Sequence, residues 1–428
     1  MHPARDAYIG WSPTEFLEKC ALNPRSEIAD WVANTIEHAI EELYKLDFIQ
    51  LDLLPARIPK NANDDMISAL RTQGLKWKAQ HMSPSAIRNQ KARLDARTAS
   101  DEDWEVEAQK ALFKSKRAIE LANLLEVRTA VFEAYAGKRG KNRLVSLMAT
   151  AGGRNTLQKV LRMARADSIG TAIVDLMVCG AVAPYNELLG GKLVAALAVS
   201  PEVIEQYKRR YGSAASLIAS SMSGRRIVRR ADLVFVGTTS IYGTRPSQYD
   251  RISIPCQLIG GKVGEVLRYK YLANTKGMGS FQFGSSTKQA IEKYVEAQEN
   301  GKRRVNNVFG EGANPKIRAL REGLVKLGFS EELMTHGLQK CAYGVSLVSN
   351  LRDYLLGIAK RPKYVFKSGD AIKASRAIAS WWMSRWVRAR LERVDVIEKI
   401  EQHSLIKPVR HGARVVLPEA DVTQMSLI

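Results

Sequence analysis

The sequence predicts an α+β (α/β) protein in three parts: a helical N-terminal region over residues 1–136, a central mixed α/β core over 145–358, and a basic, tryptophan-rich helix with a tail over 364–428. Three observations carry this reading. Apolar residues recur at helical spacing through most of the first part; β-branched apolar runs separated by glycine-marked turns begin only after residue 170; a last amphipathic stretch opens at Asp370. A chain of 428 residues with 45% hydrophobic content can bury a sizeable core and does not read as disordered.

Charge divides the chain unevenly. Residues 1–135 hold 18 Lys and Arg against 21 Asp and Glu, which leaves 47 against 23 for residues 136–428. A basic surface of that size is the electrostatic footprint expected for a polyanion, most often nucleic acid, the alternative being a solvated basic surface without such a ligand. Cys20, Cys179, Cys256 and Cys341 form no CxxC pair, and the N-terminus has no cleavable signal pattern, so a reducing, cytoplasmic setting is expected. The most apolar segments fall short of the roughly 20 residues that a membrane helix needs, so no membrane role is expected.

In chain order, Ser12 or Thr14 caps a short helix, and Ser26 to Leu43 places Ile28, Trp31, Val32, Ile36 and Ile40 on one face. His38 falls on the polar side of that helix, as a solvated residue. NANDD at 61–65 marks a turn and a helix start. Beyond the basic Arg88, Lys91, Arg93 and Arg97, the run from Trp104 to Tyr135 has no helix breaker and predicts one long helix or a helical hairpin. GKRGKNR at 137–143 reads as a linker. AGGRN at 151–155 reads as a capped turn, or an anion-binding helix start, ahead of a helix from Thr156 to Ala166.

Gly170 to Val182 predicts a buried strand that Pro184 stops. YNELLGG then feeds an apolar helix, and Ser200, Pro201 and Gly212 delimit another. LIAS at 217–220 and DLVFVGTTS at 232–240 predict further strands, with a hairpin-like GRRIVRR between them. Gly190, Gly191 and Lys192 do not make a nucleotide-hydrolase phosphate loop, because Asn186 stands at the first glycine position and Leu193 follows the lysine.

A glycine turn feeding a helix after a strand, followed by DLVFVGTTSIYGTRPSQYDRI and LRYKYLANTKGMG, resembles in topology the GNAT acyltransferase fold. NELLGG stands where that fold carries its usual Arg/Gln-x-x-Gly-x-Gly/Ala turn. The resemblance implies acetyl-CoA or another acyl-CoA at Gly190, Gly191 and Lys192, as an alternative to a protein with no cofactor.

The ordered motifs GAVAPYNELLGGKLVAALAVSPEVIEQYKRRYG, ADLVFVGTTSIYGTRPSQYDRI, LANTKGMGSFQF and RRVNNVFGEGANPKIRALREGLVKLGF resemble, over roughly residues 145–358, the family of DruA, a component of the Druantia anti-phage defence system. The resemblance implies a bacterial defence role beside other Druantia proteins, including a helicase-like subunit. The same domain accompanies some transposases, which fits work on nucleic acid. No catalytic activity comes with it, and the N-terminal region lies outside it.

Within these motifs Tyr242, Thr244, Arg245, Ser247, Gln248 and Tyr249 crowd one turn, where a guanidinium can fork to a phosphate and phenols can stack on bases. Thr275, Lys276, Gly277 and Gly279 make an amide-rich turn suited to an anion. Arg303 and Arg304, with Asn306, Asn307, Glu311, Asn314 and Lys316, form another polar cluster. For each of these, turn chemistry with surface solvation is the alternative. Asp175, Glu187, Asp232, Asp250, Glu311 and the six histidines show no spacing diagnostic of a nuclease or a metal site.

From Asp370 to about Gln402 a single helix is expected, with Ile378, Trp382, Trp386 and Ala389 along one face and Arg385 and Arg388 beside it. Such a helix docks on nucleic acid, a membrane surface or a partner groove, with partner or DNA contact favoured by the family resemblance, or packs its tryptophans on the protein's own core. The expectation is a nucleic-acid-binding defence component, DNA being favoured over RNA. A CoA-dependent acyltransferase and a protein-binding scaffold are the alternatives, and a homo-oligomer is compatible with each.

Overall fold

The computed structural model describes residues 3–81, 94–298 and 315–402, apart from residues 169, 178, 183, 241, 242, 276, 278, 281 and 368. Nine helices precede the first strand among these residues: α1 (Pro3–Ile9), α2 (Pro13–Leu22), α3 (Ser26–Glu42), α4 (Leu46–Gln50), α5 (Asp64–His81), α6 (Asp101–Ala108), α7 (Ala111–Tyr135), α8 (Asn142–Met148) and α9 (Ala151–Ser168). The Ser12 hydroxyl accepts from the Glu15 amide and starts α2, and Ser100 and Asp103 form a reciprocal capping box at α6. The run from Trp104 to Tyr135 is two helices broken at Gln109 and Lys110.

Helix α5 lies on α7 at Gly74, where a Cβ would stand 2.9 Å from the Ile119 side chain. Arg117 of α7 is fully buried and forks to Asp47 at 2.9 and 2.7 Å, with its plane over Phe48 and Tyr44. A buried guanidinium is tolerated only when paired in this way, because desolvating a lone ion costs several kcal/mol.

The linker at 137–143 turns at Gly137 and Gly140, both at positive φ, before α8 begins at Asn142. AGGRN is no free turn: α9 already begins at Ala151, and the Gly153 amide donates to the Thr150 hydroxyl at 3.0 Å. Gly153 sits so close to the preceding turn that a Cβ would meet the Leu147 carbonyl.

The strands are β1 (Ile173–Leu176), β2 (Phe235–Thr239), β3 (Ser253–Pro255), β4 (Val266–Arg268), β5 (Lys270–Asn274) and β6 (Cys341–Ser346). Four of them form a mixed sheet in the order β1-β2-β6-β5, and β3 pairs with β4 separately. Between β1 and β2 come α10 (Asn186–Leu189), α11 (Lys192–Leu197), α12 (Pro201–Tyr211) and α13 (Leu217–Ser223). Then follow α14 (Ser247–Asp250), α15 (Ser285–Gln298), α16 (Pro315–Lys326), α17 (Leu351–Leu355), α18 (Ala371–Trp382), α19 (Arg388–Leu391) and α20 (Val394–Glu401).

Two strand predictions need correction. The strand expected over 170–182 keeps four residues, and the chain leaves the sheet at Met177. LIAS is helical, within α13: the Ser216 hydroxyl accepts from the Ala219 amide, and the buried Ser221 hydroxyl donates to the Leu217 carbonyl at 2.7 Å. A short apolar run reads equally as strand or helix, and here the cap decides.

Side chains alternate across the sheet. Phe235, Val234 and Ala172 join the core of the N-terminal helices, together with Leu351 and Leu355. Val236, Tyr343 and Val345 face the other way, into a second core made with α11, α12, α18 and the β3–β4 hairpin. The Phe235 ring lies across β6 at Gly344, where a Cβ would stand 2.3 Å from it. Thus the sheet is covered on both faces, and the first of its two layers belongs to the N-terminal region.

Candidate nucleic-acid interface

β1 runs parallel to β2, and both β2 and β5 run antiparallel to β6, so β1, β2 and β5 point the same way. The loops after these three strands therefore leave at one end of the sheet, where α/β proteins place their ligand sites. The described residues within 177–192, 240–250 and 275–280, far apart in sequence, follow these strands at that end.

Gln248 ties the first two loops. Its amide donates to the Cys179 carbonyl at 3.0 Å and fills the space that a Cβ on Gly191 would need, 2.3 Å away. Gly190 has φ +52°, which only glycine adopts readily at its ψ of −164°. Cys179 donates weakly to the Gly191 carbonyl at 3.4 Å. Burial pushes its thiol up, so it is a poor nucleophile at neutral pH.

Tyr249 is not a stacking platform on the surface: it is buried, with its ring 5.2 Å from Tyr269 and 5.1 Å from Tyr343. Its hydroxyl lies 3.3 Å from that of Thr238. Tyr343 in turn meets Tyr271 edge-on, and Arg245 lies over Tyr271 at 4.8 Å while pairing with Asp250 at 3.0 Å. Burial pushes the Tyr343 phenol up to about 12, and its hydroxyl faces the Arg245 guanidinium. Arg245 is thus a half-exposed cation that already has a carboxylate partner.

Thr275 is also committed. Its amide donates to the Lys340 carbonyl at 2.7 Å and its hydroxyl accepts from the Lys340 amide at 3.0 Å. Thr244 is exposed. Tyr242, Lys276, Arg303 and Arg304 lie outside the described residues, as do Arg88, Lys91, Arg93, Asn306, Asn307, Glu311, Asn314, the tail from His403, and the side chains of Ser247 and Lys316.

The carboxylates weighed as nuclease ligands do not converge. Asp175 binds Arg5, Asp232 accepts from Tyr354, and Asp250 binds Arg245. Among the described residues no group of three His, Cys, Asp or Glu side chains could hold a metal ion, and no helix is long and apolar enough to cross a membrane.

The C-terminal helix departs from the single rod expected. Asp370 does cap α18, accepting from the Lys373 amide at 2.9 Å. A π-turn over Met383–Val387 then inserts one residue, and a second break precedes α20. The buried face accordingly runs Ile378, Trp382, Val387 rather than Ile378, Trp382, Trp386. Trp386 swings out against Trp381, their ring centres 5.2 Å apart, and Arg385 lies 5.2 Å from one ring and 6.0 Å from the other. Burying an aromatic side chain contributes about 1.5–3 kcal/mol, so a partly exposed Trp386 forgoes stability that a regular helix would have gained.

Arg390 links this helix to the loop end of the sheet. Its guanidinium donates to the Glu187 and Leu188 carbonyls at 2.5 and 3.4 Å, closing the end of α10. Burial and the nearby Arg390 and Arg251 hold the Lys192 ammonium below the usual lysine range. Among the described residues, Lys192, Arg251, Arg385 and Arg388 have no carboxylate partner. Sequence reading found Lys192, Arg385 and Arg388 and set Arg390 among the arginines around the C-terminal helix, but it missed Arg251 and gave Arg390 no contact with the loop end of the sheet.

Residues 153–357 match the family described as Druantia protein DruA. A Druantia protein DruA of Escherichia coli (strain UMEA 4076-1) is 28% identical over 218 residues, 51% of this chain and 48% of that protein. The chain therefore spans about half the length of this relative. No solved structure matches, so the GNAT-like topology has no structural neighbour behind it. The loop end of the sheet lies inside the matched segment, and the Trp381–Arg388 surface lies beyond it.

Proposed function

The chain belongs to the DruA family through residues 153–357, and on that premise we propose that it is a Druantia anti-phage defence component that contacts DNA through its C-terminal helix and the adjoining loop end of the sheet. One observation carries the DNA reading. The π-turn displays the exposed Arg385 against two partly buried indoles, and Arg390 joins that surface to Lys192 and Arg251, a set of cations that lacks carboxylate partners among the described residues. Indoles that present a free face stack on bases, and unpaired cations neutralise phosphates. The other Druantia proteins, a helicase-like subunit among them, are its partners in this reading, and self-association is compatible with it.

The test is binding of the full chain to DNA and RNA across a salt series. Affinity for DNA is expected to fall steeply with salt, and Arg385→Glu/Arg388→Glu should weaken it at least tenfold and shallow the log–log salt slope by about 1 to 2. No binding at low salt would overturn the reading. A several-degree thermal shift with acetyl-CoA, lost in Lys192→Ala, would assign the acyl-CoA alternative instead.

A further inference from the structure

At the opposite end of the sheet the molecule holds a cleft of about 940 Å³. Its walls are the turn before β4, the first residue of β5, the segment from the end of β6 into α17, the stretch Tyr364–Lys367, and Tyr8 of α1. Five cations line it against two carboxylates, Glu265 and Asp353. Arg352 is committed, donating to the Tyr8 and Ala7 carbonyls at 3.1 and 3.2 Å. Lys262, Arg268, Lys270 and Lys367 are exposed and, among the described residues, none pairs with a carboxylate. Lys270 lies 5.6 Å from the centre of the Tyr8 ring.

Like charges around one concavity repel, salt screens that repulsion over a Debye length of about 8 Å at physiological ionic strength, and a concave low-dielectric wall focuses their field. A polyanion relieves that strain. The cleft continues past Tyr364, which also lines a neighbouring cleft of about 450 Å³ bearing Lys208, Arg230 and Arg361. There the single carboxylate, Asp232, is taken by Lys208 at 3.5 Å. The two together make a track of cations with the partly buried rings of Tyr8 and Tyr364 in its wall, the Tyr364 hydroxyl donating to the Leu233 carbonyl at 3.2 Å. Pockets of about 300–1,000 Å³ enclose small ligands, so the larger cleft has room for roughly two nucleotides of one strand, whereas a duplex could only lie across its mouth.

We propose that this paired cleft binds single-stranded nucleic acid, as a contact separate from the Trp381–Arg388 surface, with the phosphates on the four lysine and arginine side chains and bases against Tyr8 and Tyr364. The inference rests on the nucleic-acid reading above and adds strandedness and place to it. Groove cations combined with aromatic faces bind single strands without reading sequence.

The experiment measures anisotropy of the full chain with a labelled 20-nucleotide oligo-dT and with a 20-base-pair duplex. It compares wild type, Lys270→Glu/Lys367→Glu, Lys262→Glu/Arg268→Glu and Arg385→Glu/Arg388→Glu, each first checked by thermal melting. Both cleft pairs should lose at least tenfold on oligo-dT and less than twofold on duplex. Photocrosslinking of bromodeoxyuridine-substituted oligo-dT should mark peptides carrying Tyr8 or Tyr364. Unchanged oligo-dT binding, equal losses on both probes, or crosslinks confined to the Trp381 and Trp386 peptide would each overturn the cleft while leaving DNA binding standing. Failure of wild type to bind either probe would overturn both readings.

Discussion

Single residues at the loop end answer to packing before they answer to any ligand. Gly191 has an ordinary φ of −86°, so its lack of a side chain serves the Gln248 amide that lies against it. A methyl group there would push Gln248 aside and break its 3.0 Å bond to the Cys179 carbonyl. The obstructing atoms are the far end of a flexible side chain, so the expected cost is the hydrogen bond and little else. Gly191→Ala should therefore destabilise by about 1 kcal/mol in the wild-type chain and by almost nothing in Gln248→Ala. Chemical denaturation of the two single variants and the double variant measures this, and additive losses would show that the contact is not what glycine serves. Arg245 follows the same logic: with Asp250 beside it and Tyr271 beneath, it is held and neutralised, unlike Arg385.

At the scale of elements, the π-turn of the C-terminal helix separates a structural half from an exposed one. Ile378 anchors α18 in the second core with Trp381 packed against it, Trp382 is buried beside them, and one inserted residue lets Val387 replace Trp386 as the next buried contact. π-turns are rarer and less favourable than regular helix and often sit at functional sites. Deleting Ser384 would restore α-helical phase and carry Val387 into the i+4 position after Trp382. The melting temperature should stay the same or rise, while DNA affinity should fall as Arg385 leaves the indole pair. A deletion that melts lower and binds as before would show that the turn serves the core instead.

At the scale of the whole molecule, the segment that matches the family is not a self-sufficient body. Phe235, Val234, Val348, Leu351 and Leu355 bury against α3, α7 and α9 and their neighbours, two of which lie outside residues 153–357. Arg5 of α1 reaches Asp175 of β1 at 2.8 and 2.5 Å, and Arg229 binds Glu42 of α3. A chain beginning at residue 145 would expose an apolar sheet face, and such patches drive association. It is expected to aggregate or to bind a hydrophobic dye strongly, whereas the full chain should not. A monodisperse, cooperatively melting 145–428 fragment would contradict this. The charge asymmetry acts at this scale as well, because the acidic helices cover one sheet face and leave the basic surfaces to the second core, the loop end and the paired cleft.

By itself the sequence determined whatever is local in the chain. The amphipathic period of α3, the Ser12 and Asp370 caps, and the Ser200–Pro201–Gly212 frame of α12 were legible because each is decided within a few residues by backbone hydrogen-bonding and side-chain spacing. The family motifs and the basic excess were legible for the same reason, since they are properties of order and composition. Tertiary structure alone decided what depends on partners distant in sequence. Strand direction gathered the loops after β1, β2 and β5, burial turned Tyr249 from a surface stacker into core, and the π-turn buried Val387 in place of Trp386. The paired cleft was the least legible feature, because its cations come from segments about a hundred residues apart, and repulsion among them exists only once the sheet has brought them together.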